Sequence, residues 1–478
     1  MLRTQLSAPA TRADTKTRTR EQVRHNLEKY LLAVVTLGLL VGNPSAACGQ
    51  VSADQIARLG ADLTPVGAER AGNADGSIPP WTGGLPKSPP INPAIGYIDP
   101  FSDDAIKFTI TAKNVERYKE LLSNGQLALF KGNPKTYSVN VYPTRRSAAY
   151  PADVLAEIAT QASTARTHGY HVSGVGKSTV PFPIPADGLQ VMWNHFFRWR
   201  GGSVERQIVW AAVAPSGKFY LVKLYQNVAF DQQGYMEKPL SERLYASDTL
   251  YLSPPSAIGL RAVTWESRDP VNELRARWVF VPQTLDTRRL PSYDYDTLEP
   301  FTGGLSTTDQ IDGWNGAPDR YDWKLDGKRE LLIGYNAYKL ADRKLNYGAI
   351  AQPRLVNTDL LRYELHRVWV VEATLRPGSR HRYPHRIFYV DEDTWQVAQE
   401  EIYNAKGTLV RFGDHQMMQY SDVQVPWYAA TIHYDLATGS YLISGLSNDE
   451  PAPWRWGFKG RNSRYLPTNL RVVAPGVR

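Results

Sequence analysis

With 478 residues, 42% of them hydrophobic and 21% charged, and with 13 Trp and 27 Tyr, the chain is long enough for a large core and too rich in aromatic side chains for a disordered or coiled-coil protein. The formal charge of +8 is concentrated at the front, where residues 1–47 hold seven Lys/Arg against three Asp/Glu, half of the excess. What remains is weakly basic, with its signs interspersed and no Lys/Arg block interleaved with aromatics, so nucleic acid is excluded as an expected partner.

Tyr30–Val41, "YLLAVVTLGLLV", is a charge-free run of 12 residues preceded by Arg18, Arg20, Arg24 and Lys29 and followed by Ser45-Ala46-Ala47. A membrane-spanning helix needs about 20 apolar residues, so the run reads as the apolar part of a signal peptide over residues 1–49, cleaved after Ala47 or Gly49 on export to the periplasm. A buried core helix is the alternative. Cys48 is the only cysteine, which excludes a disulfide within the chain, and its place at the cleavage boundary makes it a candidate for lipid anchoring. Ser45, however, stands where a lipoprotein signal has a large aliphatic residue.

Residues 50–100 read as a Gly/Pro-rich N-terminal arm, with a short helix at its start (50–59) and Trp81 docking it. Thr111 caps a predicted helix reaching Phe130, with Val115, Tyr118, Leu121 and Leu122 on one face, and Pro151 to Thr167 gives a second, with Val154, Ile158 and Ala162. From about residue 200 the period becomes two. "RQIVWAAVAPSGKFYLVKLYQNVAF" (206–230) predicts a hairpin around Pro215-Ser216-Gly217, and "RARWVFVPQTLDTRRLPSY" (275–293) predicts another; residues 366–378, 385–412 and 430–446 continue the pattern. The expected domain of helices and sheet spans 101–450, ahead of a C-terminal tail, 451–478.

Three of these strands are apolar on both faces: Trp278/Phe280 against Val279/Val281, Val368/Val370 against Trp369/Val371, and Ile387/Tyr389 against Phe388/Val390. A sheet with one wet face should alternate. The expected fold class is therefore α+β, a large curved antiparallel sheet, or half-barrel, packed on a few amphipathic helices and curling its other face around an apolar trough. A two-sheet sandwich whose second face is plain core is the alternative. Trp278, Phe280, Trp369, Val371, Phe388 and Trp395 are assigned to the trough, with the inward face left open.

Signals for catalysis or metal binding are sparse. No H-E-x-x-H or G-x-S-x-G occurs, and His381 and His385 share a face only in a helix, which Pro384 opposes. His168 and His171 flank a turn Gly and lack the further ligands zinc needs. "DQIDGWNGAPDRYDW" (309–323) gathers Asp309, Asp312, Asn315, Asp319 and Asp322, but not at EF-hand spacing, and is read as turn and cap chemistry, with Asp319 and Arg320 as a buried charge pair. "RHRYPHR" (380–386) reads as a solvated turn. No metal or cofactor is expected.

"ADLTPVGAERAGNADGSIPPWTGGL" (61–85), "VYPTRRSAAYP" (141–151), "PFPIPADGLQVMWNHFFRWRG" (181–201), "DQIDGWNGAPDRYDWKLDGKRELLIGYNAYKL" (309–340) and "LLRYELHRVWVVEATLRPGSRHRYPHRIFYVDEDTWQVAQEEIY" (360–403) together resemble domain-of-unknown-function family 1329, a family of exported proteins of Gram-negative bacteria. Through hairpins such as "WVFVPQTLDTRRL" that family is similar to the lipoprotein-carrier (Lol) superfamily, in which a curved antiparallel sheet closed by helices shelters acyl chains. The resemblance implies a periplasmic carrier for a lipid, lipoprotein or sterol-like molecule, and a monomer is expected. It also implies partners in an inner-membrane exporter and an outer-membrane protein. An exported hydrolase acting on ester or lipid substrates, its site assembled from scattered residues, is the competing expectation.

Overall fold

Short strands β1 (Phe108–Ile110) and β2 (Val139–Val141) and a separate hairpin, β3 (Arg166–His168) with β4 (His171–Ser173), precede the main architecture. A first meander follows: β5 (Ser203–Val213), β6 (Phe219–Ala229), β7 (Arg243–Tyr251), β8 (Arg261–Ser267), β9 (Ala276–Val281) and β10 (Asp286–Leu290). A second runs through β11 (Tyr321–Gly334), β12 (Tyr363–Leu375), β13 (His385–Asp391), β14 (Val397–Tyr403), β15 (Leu409–Tyr420), β16 (Val425–Asp435) and β17 (Tyr441–Leu446); β18 (Arg455–Trp456) comes last. The computed structural model describes residues 51–471 except 93–94, 241, 292–294 and 452–453. The leader and Cys48 lie outside the described residues.

Each meander pairs strictly neighbour to neighbour, and β17 then pairs antiparallel with β5 (Tyr441 opposite Val213), so the two fuse into one open sheet of 16 strands. Among the described strands its one parallel pairing is Tyr363 of β12 beside Val141 of β2. The fold is thus the open, large, almost wholly antiparallel sheet with few helices expected from the hairpin spacing. Turn chemistry fixes the register: between β5 and β6, Gly217 takes φ +83°, which a residue with a Cβ adopts only with strain, and Val213 lands opposite Phe219.

The helices differ from expectation in instructive ways. The run expected as one helix to Phe130 is a 3₁₀ turn, Val115–Leu121, followed by a separate helix, Asn124–Gly132. The break falls at Ser123, whose hydroxyl accepts from Gln126 N while the Gln126 side chain accepts from Ser123 N, a capping box that starts a new helix. Gly125 lets that helix rest on β15, since a Cβ there would lie 1.9 Å from the Phe412 ring. The next helix, Ala152–Gln161, stops short of Thr167, and residues 166–173 form the β3–β4 hairpin instead, about Gly169 at φ +59°. A third helix, Gly188–Phe197, was not anticipated: every residue in it is buried, so it lacks the amphipathic stripe that marks a surface helix.

That buried helix answers why strands of the second meander are apolar on both faces. It packs on β11 and β12, and Val191, Met192, Trp193, Phe196 and Phe197 join Val368, Val370, Val371, Phe388 and Trp395 in the main core. The N-terminal arm adds to this core through Val66, Ala68 and Ile78, and Val66 O accepts from Trp395 Nε1 at 3.0 Å. The outer face of β8 and β9 is covered by the C-terminal segment, with Tyr465 and Leu470 packed on Val263, Trp265, Trp278 and Phe280. Among the described residues no helix is long and apolar enough to cross a membrane.

Candidate functional site

The connection from β10 to β11, described from residue 295, crosses the inner face of the first meander. Two buried carboxylates pin it. Asp309 pairs with Arg386 of β13 and lies 3.2 Å from His381 Nε2; Asp312 pairs with Arg198 at 2.6 Å and Arg200 at 2.8 Å, and accepts from Trp427 Nε1 of β16 at 2.6 Å. Burial alone would raise both acids, but the neighbouring cations prevail and hold both well below the ordinary carboxylate range. Just beyond, Trp314 N donates to His195 Nε2 at 3.2 Å, tying the strap to the buried helix. The expected pair Asp319–Arg320 does not form: Asp319 accepts from Tyr295 Oη at 2.9 Å, while the Arg320 guanidinium lies over the Tyr295 ring.

Between strap and sheet lies a cavity of about 180 Å³. Its floor consists of cross-strand rows: Arg277, Thr264, Ser247 and Val228 form one, Thr249, Gln226 and Arg206 the next, and Trp210, Ser444 and Thr431 another. Seven strands, β16, β17 and β5–β9, contribute to it. Laid flat they would span about 29 Å at the usual strand spacing, so the sheet must curl around the space. Glu299, Thr302, Ser306, Gln310, Ile311 and Asp312 of the strap form the roof.

The walls mix apolar and charged groups. Ile208, Trp210, Phe230, Tyr251, Trp427 and Leu442 supply apolar surface, and four arginines enter among them. Arg200 pairs with Asp312, Arg275 with Glu266 at 2.5 Å, and Arg277 with Glu299 at 3.4 Å while donating to Tyr251 Oη at 3.0 Å. Arg206 donates from Nε to Gln226 Oε1 at 3.2 Å and lies 4.5 Å from the Trp427 ring centre and 4.8 Å from that of Trp454. His433 is the histidine on the wall; burial, with Arg411 and Arg386 nearby, pushes its pKa down to about 3.

None of the six residues assigned to a trough from sequence lines this cavity. Trp278 and Phe280 stand on β9 but on the face opposite Arg277, where Trp278 meets Trp265 edge-on at 4.7 Å under the C-terminal segment. Trp369 and Trp395 are brought together, stacked at 6.1 Å, with Lys328 Nζ 4.5 Å from the Trp369 ring. Val371 meets the start of the buried helix at Gly188, and Phe388 lies between Trp323 and Arg386. Val371, Phe388 and Trp395 are buried in the second meander's core, which is filled by the chain's own elements, and the partly exposed Trp369 packs against it. The residues that do line the space went unnoticed because mixed polar and apolar positions look like a half-exposed sheet face. The available signal was Arg206 in register with Ile208 and Trp210.

A second cluster lies in the turn after β13, where ligand atoms of His366, Asp391 and Asp393 fall within 4.8 Å of one another. Asp393 is already clamped by Arg146 at 2.7 and 2.9 Å, and Asp391 accepts from Thr394 N and Oγ1 at 3.0 and 2.7 Å. A cation there would have to compete with Arg146, so the cluster reads as the anchor of a β-turn.

The protein is 43% identical over 449 residues to "Uncharacterized protein PA3922" of Pseudomonas aeruginosa, covering 93% of this chain and 98% of that one. Solved structures similar to it include a DUF1329 family protein from Desulfovibrio piger, with 15% identity, a TM-score of 0.39, and 56% of this chain and 92% of that chain covered. Another is the LolA superfamily protein NE2245 from Nitrosomonas europaea, with 14% identity, a TM-score of 0.33, and 57% and 92% covered. Residues 109–471 match the family described as "Protein of unknown function (DUF1329)". With its arm, strap and two fused meanders, the chain belongs to the DUF1329 family.

Proposed function

We propose that the protein is a periplasmic binding or carrier protein for a hydrophobic or amphiphilic molecule of the acyl-lipid type, held between the first meander and the strap. The observation that carries this reading is the roofed cavity on the inner face of a curled, open sheet, with aromatic and aliphatic walls. Such concave, partly apolar spaces with a few placed polar groups are ordinary ligand sites. The hydrolase alternative has less support at this site, because among the described residues His433 meets the Gln310 amide and not a hydroxyl it could activate.

Native mass spectrometry on protein from its own host, followed by organic extraction, tests the reading. A co-purifying amphiphile is expected; its absence, together with failure to bind octanol in vitro, would overturn it. Ser247→Phe places a ring in the cavity floor between Val228 and Thr264. It is expected to weaken octanol binding at least about tenfold, with the melting temperature held within about 4 °C because the ring enters open space. Equal binding by wild type and variant would remove the cavity as the site.

A further inference from the structure

Among the described residues, the ion pairs at the cavity wall do not include Arg206. Arg198, Arg200, Arg206, Arg275 and Arg277 bring five guanidiniums to this region, and Glu266, Glu299 and Asp312 bring three carboxylates, with Asp312 shared by Arg198 and Arg200. Among the described residues no carboxylate pairs with Arg206: its Nε is taken by the neutral Gln226, and its guanidinium is held between Trp427 and Trp454. Cation–π contact orients a guanidinium but does not neutralise it. Arg206 is half-buried, and burial pushes its pKa down against the pull of Tyr420 and of Asp312, which forms no ion pair with it. A planar, rigidly held guanidinium on the wall of a ligand cavity is suited to bidentate contact with an oxyanion.

We infer that Arg206 receives the anionic headgroup, carboxylate or phosphate, of the amphiphile, whose first carbons lie along Ile208, Trp210 and Leu442. The assignment rests on the cavity being the ligand site. A cavity of about 150 Å³ accommodates benzene, so about 180 Å³ takes a headgroup and the first few carbons of a chain.

Calorimetric titration of the full protein with octanoate, octyl phosphate, octanol and inorganic phosphate tests it. Octanoate or octyl phosphate is expected to bind at least about tenfold tighter than octanol, as one charge-assisted hydrogen-bonded pair supplies. Inorganic phosphate alone is expected to bind far more weakly than octyl phosphate. Whichever of the two oxyanions binds tighter names the headgroup. Arg206→Gln should erase the preference for the charged probes over octanol, and Arg206→Lys should retain part of it. Octanol binding as well as both charged probes would overturn the headgroup assignment and leave the cavity reading standing. No binding of any chain-bearing probe would overturn both. Inorganic phosphate matching octyl phosphate would mean a free-anion site and would also overturn the inference. The wild-type preference is informative even if Arg206→Gln folds poorly.

Discussion

Arg386→Met is expected to destabilise the protein by about 3–5 kcal/mol, the range for breaking a buried ion pair. Arg386 is fully buried and serves two carboxylates, Asp309 of the strap and Glu400 of β14, reaching the latter at 2.5 and 2.6 Å. Methionine fills comparable space but leaves both acids in the interior, Asp309 with His381 and the Thr307 hydroxyl and Glu400 with Gln310 as partners. Since whole domains are stable by about 5–15 kcal/mol, the loss should be plain as a shift of the urea midpoint. It should also depend on pH. Burial already raises the Glu400 pKa in the intact protein; without Arg386 it rises further and Asp309 loses the main charge that holds it down, so the folded state binds more protons, and stability falls as pH rises through that window. The variant is therefore expected to lie closer to wild type near pH 4.5 than near pH 7.5. A difference from wild type under 1 kcal/mol at pH 7.5 would show that the strap is not held by this arginine.

Asp312→Asn is expected to cost a similar amount, about 3–5 kcal/mol, and to loosen the roof of the cavity. Asp312 sits at φ 61°, a conformation Asn tolerates, so the substitution removes charge without adding backbone strain. It leaves Arg198 and Arg200, both buried, facing each other without their shared counter-ion. Hydrogen exchange should quicken at the amides of residues 306–312, whereas strands β11 and β12 should keep their protection. Unchanged exchange in the strap would mean that Trp314 and Asp309 suffice to hold it.

Legibility varied with the kind of signal. Hairpins 206–230, 275–293 and 430–446 were readable because period-two patterning and a Gly- or Asp-bearing turn act over a few residues, and the structure has β5–β6, β9–β10 and β16–β17 there. The helix Gly188–Phe197 was not readable, since a fully buried helix carries no polar stripe. Strands β7 and β8 and the long β11 were missed as well; their residues, such as Lys324, Asp326 and Lys328 on β11, are too polar to stand out as strand by hydrophobicity.

The site turned on a point that local sequence cannot decide. On β9, Trp278 and Phe280 point one way and Arg277 the other, and alternation says only that the two sets are on opposite faces. Which face meets the strap and which meets Tyr465 depends on where residues 295–312 and 462–470 fold back, contacts separated by many residues in the chain. Apolarity on both faces of β12 and β13 marked a strand buried on both sides by the protein itself. The cavity lies instead where charged and apolar side chains share a face.

By itself, then, the amino-acid sequence determined the antiparallel hairpins and the family, because these reside in short-range patterning and in long strings of matching residues. Only the tertiary structure decided that two meanders join through β17 and β5, that Asp309 and Asp312 are buried counter-ions of arginines, and that Arg206 faces a cavity. Each of these depends on pairing between residues far apart in sequence, whose energetic value exists only once the sheet has curled and the strap has closed over it.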